Sequence, residues 1–138
     1  MCIRDSAPGL RGANRTGKPF TGDASGDLLF KTLAKCGFLA SSAKAGTSRQ
    51  AQLENAMITN AVRCVPPQNK PTGAEINTCR PFLKARLIAL PNLKAVVMLG
   101  RIAHDATIRS LGLKLKDAPF SHGAIAHTAL EGLSLIHI

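Results

Sequence analysis

The chain has 138 residues, with 18 Lys+Arg against 8 Asp+Glu and a formal net charge of +10. This length suits one domain, and no apolar run is long enough to cross a bilayer. A domain this basic favours a polyanionic partner, nucleic acid first, and the alternative is a merely soluble basic surface. With five Phe and no Trp or Tyr, a ladder of rings stacking on single-stranded bases is not expected.

The two ends of the chain are related through their codons. Leu133–Ile138, written as CTG TCT CTT ATA CAC AT, has a reverse complement that encodes Met1–Asp5 and opens the codon of Ser6. One inverted sequence at both ends resembles a transposase adapter that flanks an insert. We therefore expect residues 1–6 and 133–138 to be non-native and predict the fold from 7–132, which we expect to be one domain truncated at both ends.

Hydrophobic spacing along 7–132 predicts alternating helices and strands. Gly37 is placed to end the first helix, Thr72 and Glu75 form a capping box, and Pro81 is expected to kink or split the helix that follows. The predicted elements are a helix over 25–38, a loop over 41–52, a strand over 56–64, a helix from Thr72 towards Leu90, a strand over 94–100 and a helix from Arg101. This order predicts an α/β domain with a parallel sheet.

A glycine-rich stretch, GANRTGKPFTGDASG, occupies residues 12–26. Its first seven residues match the start of the phosphate-binding pattern G-x-x-x-x-G-K-[ST]. The eighth is Pro19, which offers neither a hydroxyl for a magnesium ion nor a backbone N–H for phosphate. We therefore expect a loop whose backbone approaches some other ligand closely, because glycine permits that approach.

Three polar or aromatic residues are expected at the carboxyl ends of the strands, where α/β folds bind ligands. Phe20 either stacks on a flat heterocycle or plugs the loop against the domain. Asp23 is either catalytic or the cap of the next helix. Asn60, at the end of a strand, either reads a pyrimidine edge with its amide donor and acceptor or forms a turn.

The cysteines and histidines are weaker signals. Cys36 is expected in the core, on the apolar face of the first helix. Cys64 and Cys79 alone do not complete a metal centre, which needs four ligands. His104 is expected at the surface or as a helix cap. No catalytic role is assigned to His122.

The glycine-rich block and two later blocks resemble one enzyme family. APGLRGANRTGKPFTGDASGDLLF, TNAVRCVPPQNKPTGAEINTCRPFL and VVMLGRIA are similar to successive blocks of the family 5, or B-type, uracil-DNA glycosylases, with family 4 as the near relative. The resemblance covers nearly all of 7–132. It implies a three-layer α/β/α sandwich around a four-stranded parallel sheet, incomplete at both ends. It also implies a base-excision repair enzyme that removes uracil or related deaminated bases from DNA.

The resemblance assigns roles to residues of all these blocks. Asp23 matches the catalytic carboxylate. The base-binding residues implied are Phe20, which stacks on the flipped base, Asn60, which reads its edge, and Ala7, Pro8 and Gly9. Cys64 and Cys79 match two of the four ligands of a [4Fe-4S] cluster, which is expected in the full-length parent.

The resemblance also implies where and on what such an enzyme acts. The expected partner is DNA, double- or single-stranded, bound without sequence preference. The protein is expected to be a monomer and not to bind a membrane. The expected location is the cytoplasm of a bacterium or archaeon, with the nucleoid. Ser6 stands where families 4 and 5 differ, so that position does not separate them.

The resemblance also leaves parts unaccounted for. The first cysteine pair, the strand before Ala7 and a histidine motif after Gly132 are expected to be missing. We therefore expect this chain to be inactive or nearly so. The alternative function is a non-catalytic basic domain that binds nucleic acid.

Overall fold

The computed structural model describes residues 1–10, 12–21, 24–40, 52–128 and 132–138. The predicted loop over 41–52 lies outside these ranges except for Gln52. The strands are β1 (Cys2–Asp5), β2 (Met57–Asn60), β3 (Ala95–Met98), β4 (Ile125–His127) and β5 (Ser134–His137). The helices are α1 (Ala13–Thr16), α2 (Ala24–Lys35), α3 (Gly73–Ile88) and α4 (Arg101–Ser110), with a 3₁₀ turn at Pro67–Asn69.

The strands form one mixed sheet in the order β2-β1-β3-β5-β4. The first four are mutually parallel, and β4 pairs antiparallel with β5 at the edge. The predicted parallel α/β sheet is confirmed, but its strand number was wrong: the sheet has five strands, not four. The extra strand is a short hairpin partner, closed by the Thr128 N–H donating to the Leu133 carbonyl at 3.1 Å.

The two terminal segments lie inside the fold, although the fold was predicted from 7–132 alone. β1 sits between β2 and β3, with Cys2 and Ile3 only 0 % and 2 % exposed. β5 buries Leu135 and His137. Each of these two strands pairs with a neighbouring strand on both sides and buries two of its side chains, so it completes the sheet whatever its origin. The strand before Ala7 is therefore present in this chain.

The chain winds in both directions from β1, which places helices on both faces of the sheet. The step from β1 to β2 runs one way, and the steps to β3 and β5 run the other. Right-handed crossovers then put α2 on one face and α3 with α4 on the other. Helices α3 and α4 pack together, and the main core lies beneath them, formed by Cys2, Leu87, Val96, Met98, Ala103, Ile108, Ala118, Leu133 and Leu135.

The helix signals in the sequence act as predicted at most ends. Gly37 has φ of 75°, and the N–H groups of Gly37 and Phe38 donate to the carbonyls of Ala34 and Leu33, which ends α2 in a Schellman motif. The capping box of Thr72 and Glu75 starts α3.

Two sequence expectations about helices need correction. Helix α3 is continuous through Pro81, so it is not split there. Cys36 is exposed rather than buried, because α2 ends at Lys35 and Cys36 lies just beyond the helix. Within the described ranges, no helix combines the length and hydrophobicity that a bilayer span requires.

Candidate functional site

The carboxyl edge of the sheet carries a cavity of about 200 Å³. The connection that follows β1 runs to one side of the sheet, and the connection that follows β3 runs to the other. Such a switch point opens a crevice beyond the strand ends. The register sets Asp5 of β1 opposite Asn60 of β2 at this edge. The cavity is lined by Asp5, Ala7, Gly9, Gly12, Ala13, Phe20, Thr21, Ser25 and Asn60.

Four of the six residues predicted to be catalytic or base-binding line this one cavity. Phe20 and Asn60, which are forty positions apart in the sequence, share its wall with Ala7 and Gly9. Pro8 is buried beside them but does not line the cavity. The predicted catalytic carboxylate, Asp23, lies outside the described residues. The roles assigned to all of these residues stay predictions.

Close backbone packing gives the glycine-rich loop its shape. A Cβ atom on Gly12 would lie 2.6 Å from the carbonyl oxygen of Thr21, well inside any real contact. Only glycine lets these two stretches of main chain meet, and both line the cavity. Gly17, with φ of 69°, ends α1 and turns the chain back towards Phe20. The pattern that suggested a phosphate loop thus serves two backbone requirements instead.

Phe20 reaches the cavity from a strained backbone conformation. Its φ is 56°, in the left-handed region where a residue with a Cβ is disfavoured by about 1–2 kcal/mol. Buried Thr21 fixes this turn, because its hydroxyl donates to the Lys18 carbonyl at 2.8 Å and is also hydrogen-bonded to the hydroxyl of Thr16. Strain of this kind, held by neighbouring hydrogen bonds, concentrates at binding sites.

Asn60 presents an unused acceptor. Its Oδ1 atom is buried and has no hydrogen-bond partner in the described structure. Leaving a buried acceptor unsatisfied costs about 1–3 kcal/mol, so such groups are usually paired. Asn60 lines the cavity wall, so this acceptor is open to a donor group of a ligand.

A second loop closes one side of the cavity mouth. The backbone N–H of Leu10 donates to Oδ1 of Asn69 at 3.2 Å, which ties the loop after β1 to the 3₁₀ turn after β2. Gln68 and Asn69 both have positive φ, 54° and 57°. The exposed cations Arg15 and Lys18 lie on α1 and the loop that follows it, beside this mouth.

The cysteine pair is free and incomplete. Cys64 is exposed in the loop after β2, and Cys79 is half-buried on α3. Cys79 lines a small crevice together with Asn60 and Arg63, so this part of α3 backs onto the cavity wall. Among the described residues, no group of three or more His, Cys, Asp or Glu side chains is arranged to hold a metal. The residues present therefore do not fit a complete cluster, and no chemical step is derived through one.

Sequence reasoning missed a buried aromatic cluster on the same edge. His104 is 1 % exposed, so its predicted surface position was wrong. Its Nε2 donates to the Ala118 carbonyl at 2.8 Å and its Nδ1 contacts Oδ1 of Asp105 at 2.7 Å.

His137 lies against this ring. The two ring centroids are 4.7 Å apart, and Phe120 stacks parallel to His137 on another side. Both ring nitrogens of His137 are buried without partners. Burial, and then the charge of nearby His104, lowers the pKa of His137 from its ordinary value. The sequence did not predict this cluster, because one of its rings, His137, belongs to 133–138, which were expected to be non-native.

These features define a class: a doubly wound α/β domain with a preformed ligand cavity at the switch point of its sheet. Residues 2–134 match the Uracil DNA glycosylase superfamily, and the chain belongs to that superfamily. Membership of the uracil-DNA glycosylase superfamily, which the sequence blocks implied, is thereby confirmed.

Individual relatives agree with that assignment. The chain is 44 % identical over 126 residues to the type-5 uracil-DNA glycosylase of Thermus thermophilus, covering 91 % of this chain and 56 % of the relative. It is 42 % identical over 129 residues to that of Mycobacterium leprae, with the same two coverages. The type-4 enzyme of Archaeoglobus fulgidus is 37 % identical over 99 residues, covering 70 % of this chain and 41 % of the relative. The chain thus spans about half the length of the curated relatives it matches.

Proposed function

We propose that this chain forms the base-binding core of a DNA glycosylase that flips uracil, or a related deaminated base, out of DNA for hydrolysis of its N-glycosidic bond. The carrying observation is the cavity that unites Phe20 with the unpaired amide oxygen of Asn60. A base inside a duplex is unreachable, so such an enzyme must extrude the nucleotide into a pocket of this kind.

Asn60 supplies the choice between bases. Its Oδ1 accepts from the N3–H of uracil, and its NH₂ group donates to the adjacent carbonyl O4. Cytosine presents an acceptor at N3 and a donor at the neighbouring amino group, so both contacts become mismatched. A site that leaves buried polar groups unpaired with the wrong ligand discriminates strongly. Phe20, Ala7 and Gly9 form the flat walls between which the ring is held.

The chemistry we propose for the family member divides between the two ends of the breaking bond. As the bond between the base and C1′ breaks, its electron pair leaves with the base and positive charge grows on the sugar. Asp23, two positions after Thr21 in the sequence, is proposed to stabilise that charge and to accept a proton from the water that attacks C1′. Donors around Asn60 hold the anionic base.

Basic residues and cysteines supply the remaining parts of the proposal. The net charge of +10 favours phosphate contacts that do not depend on sequence. Cys64 and Cys79 are proposed as two ligands of a [4Fe-4S] cluster in the parent enzyme. We further propose that the parent acts as a monomer in the bacterial or archaeal cytoplasm, where the chromosome lies.

The test is binding of matched duplexes that differ in one central base. Fluorescence anisotropy on the 138-residue chain should show tighter binding to a uracil·guanine duplex than to a cytosine·guanine duplex, by about tenfold or more. Asn60→Ala should remove the preference while leaving affinity for the cytosine duplex intact. Equal affinities of the unmodified chain for both duplexes would contradict the proposal.

Base release is a separate readout of the same preparation. We expect release by this chain to be absent or very slow, because its described residues include only two of the proposed cluster ligands. Detectable uracil release would show that expectation to be wrong while supporting the function.

The alternative function is a basic nucleic-acid-binding domain without chemistry, which the net charge favours. It predicts strong, salt-dependent binding to both duplexes with no effect of Asn60→Ala. The two functions are therefore separated by the uracil preference alone.

A further inference from the structure

A second cavity, of about 470 Å³, lies far from the base-binding cavity. It opens to solvent between α3 and the end of α4, and it is lined by Arg80, Arg109, Gly112, Leu113, Lys114 and Leu115. Arg109 is in the last turn of α4, and only Leu99 and Gly100 separate the start of this helix from the carboxyl end of β3. A ten-residue helix is about 15 Å long, so this cavity lies at the opposite edge of the sheet.

Three cations converge on this cavity without neutralisation. The ion pair found in the described residues joins His104 and Asp105, so Arg80, Arg109 and Lys114 have no carboxylate partner there. No acidic residue lines the cavity. Uncompensated like charges around one concave site repel each other, and a bound anion removes that repulsion.

Arg80 is the fixed element of the group. Its guanidinium donates to Oδ1 of Asn77 on the same helix, which holds it in one orientation. Its Nε–H is buried and has no hydrogen-bond partner among the described residues. A guanidinium offers paired N–H donors that suit two oxygens of a phosphate, while an ammonium such as Lys114 acts as a point charge.

We propose that this basic cavity, defined by Arg80, Arg109 and Lys114, binds phosphate groups of a nucleic-acid strand remote from the flipped base. Half-buried Leu113 and Leu115 form an apolar wall beside the charges, which reduces solvent screening at the contact. A strand long enough to reach this cavity gains phosphate contacts there, whereas a short strand held at the base-binding edge gains none. This holds whether or not the chain excises uracil.

The test uses an undamaged 30-base-pair duplex, so that it does not depend on base recognition. The variant Arg109→Gln/Lys114→Gln removes two exposed charges, and Lys31→Gln/Lys35→Gln on α2 is the control with the same change in net charge. Each lost phosphate contact should lower the slope of log K against log salt by about 0.9, so the cavity variant should lose about 1.8. Its affinity at 0.1 M salt should fall about tenfold or more, and the control's by about twofold or less.

If the double variant does not fold, Lys114→Gln alone should lower the slope by about one. Thermal unfolding in inorganic phosphate at fixed ionic strength separates the two sources of phosphate. Equal slopes for the cavity variant and the control on the long duplex would overturn the proposal. That holds even if inorganic phosphate alone raises the Tm, because the cavity would then bind free phosphate and not a nucleic-acid strand.

Discussion

The close approach of Gly12 to Thr21 gives a sharp test of how the base-binding cavity is built. In Gly12→Ala, the new Cβ would lie 2.6 Å from the Thr21 carbonyl oxygen, whereas ordinary contact begins at 3.4 Å. The two segments must therefore separate by 3.4 − 2.6 = 0.8 Å. Both segments are backbone, so no flexible side chain can absorb the change.

The expected cost has two parts. Forcing a methyl group into a packed site costs about 1–3 kcal/mol, which corresponds to a fall in Tm of about 3–10 °C for a domain of this size. Thr21 adjoins Phe20, so the ring moves with it. A misplacement approaching 1 Å can lower the rate of a catalysed reaction by up to about 10²-fold. The preference for uracil over cytosine duplexes should therefore largely disappear.

Thermal unfolding and anisotropy with the two duplexes measure both parts. Gly73→Ala is the matched control, since a Cβ there meets nothing within 4 Å and its φ is not positive. That change should leave base preference intact and hold or raise stability by up to about 1 kcal/mol, because alanine is the better helix former. The reasoning fails if Gly12→Ala behaves like this control in both assays.

Two further predictions concern pH and helix capping. Because the pKa of His137 is lowered in the fold, the unfolded state binds more protons near pH 6.5, so stability should fall as pH drops below that value. His137→Phe should reduce this dependence in unfolding curves between pH 8 and pH 5.5, and an unchanged slope would exclude His137 as its source. Thr72→Ala should cost about 1 kcal/mol by removing the cap of α3. The backbone N–H of Thr72, and then its hydroxyl, donate to Glu75 and hold the pKa of that carboxyl below its ordinary 4.5, and the substitution removes only the hydroxyl. Thr72→Ala should therefore flatten part of the loss of stability as pH falls through that region. A Tm equal to that of the unmodified chain both above and below that region would contradict the capping role.

The shared position of Phe20 and Asn60 was predictable from the sequence. Asn60 ends an apolar run, and Phe20 sits among glycines after Ala7, so the rule that ligands bind beyond strand ends was enough to expect them together. Local signals such as Gly37, Thr72 and Glu75 also predict helix ends well, because capping depends on only a few neighbouring atoms.

Burial of polar side chains was the harder problem. His104 faces the core because Ala103, Thr107 and Ile108 share its side of α4, and its polarity is met by a carbonyl fourteen residues away. Thr107 is buried on the same helix by donating to the Ala103 carbonyl at 2.7 Å. Such partners are set by tertiary structure and leave no mark in local sequence. The segments at 1–6 and 133–138 were missed because their codons, and not their side chains, were used to judge them.

The position of β1 has a consequence for how the molecule is made. Cys2 pairs with Met57 on one side and with Val96 on the other, so every ladder contact of this strand spans a long stretch of chain. Loop-closure entropy opposes such pairings, and proteins dominated by them fold slowly. A nascent chain must therefore carry an unpaired apolar strand until much later residues emerge, which leaves it open to self-association during synthesis. Chaperone dependence and low soluble yield at elevated temperature are the expected cellular signs of this topology.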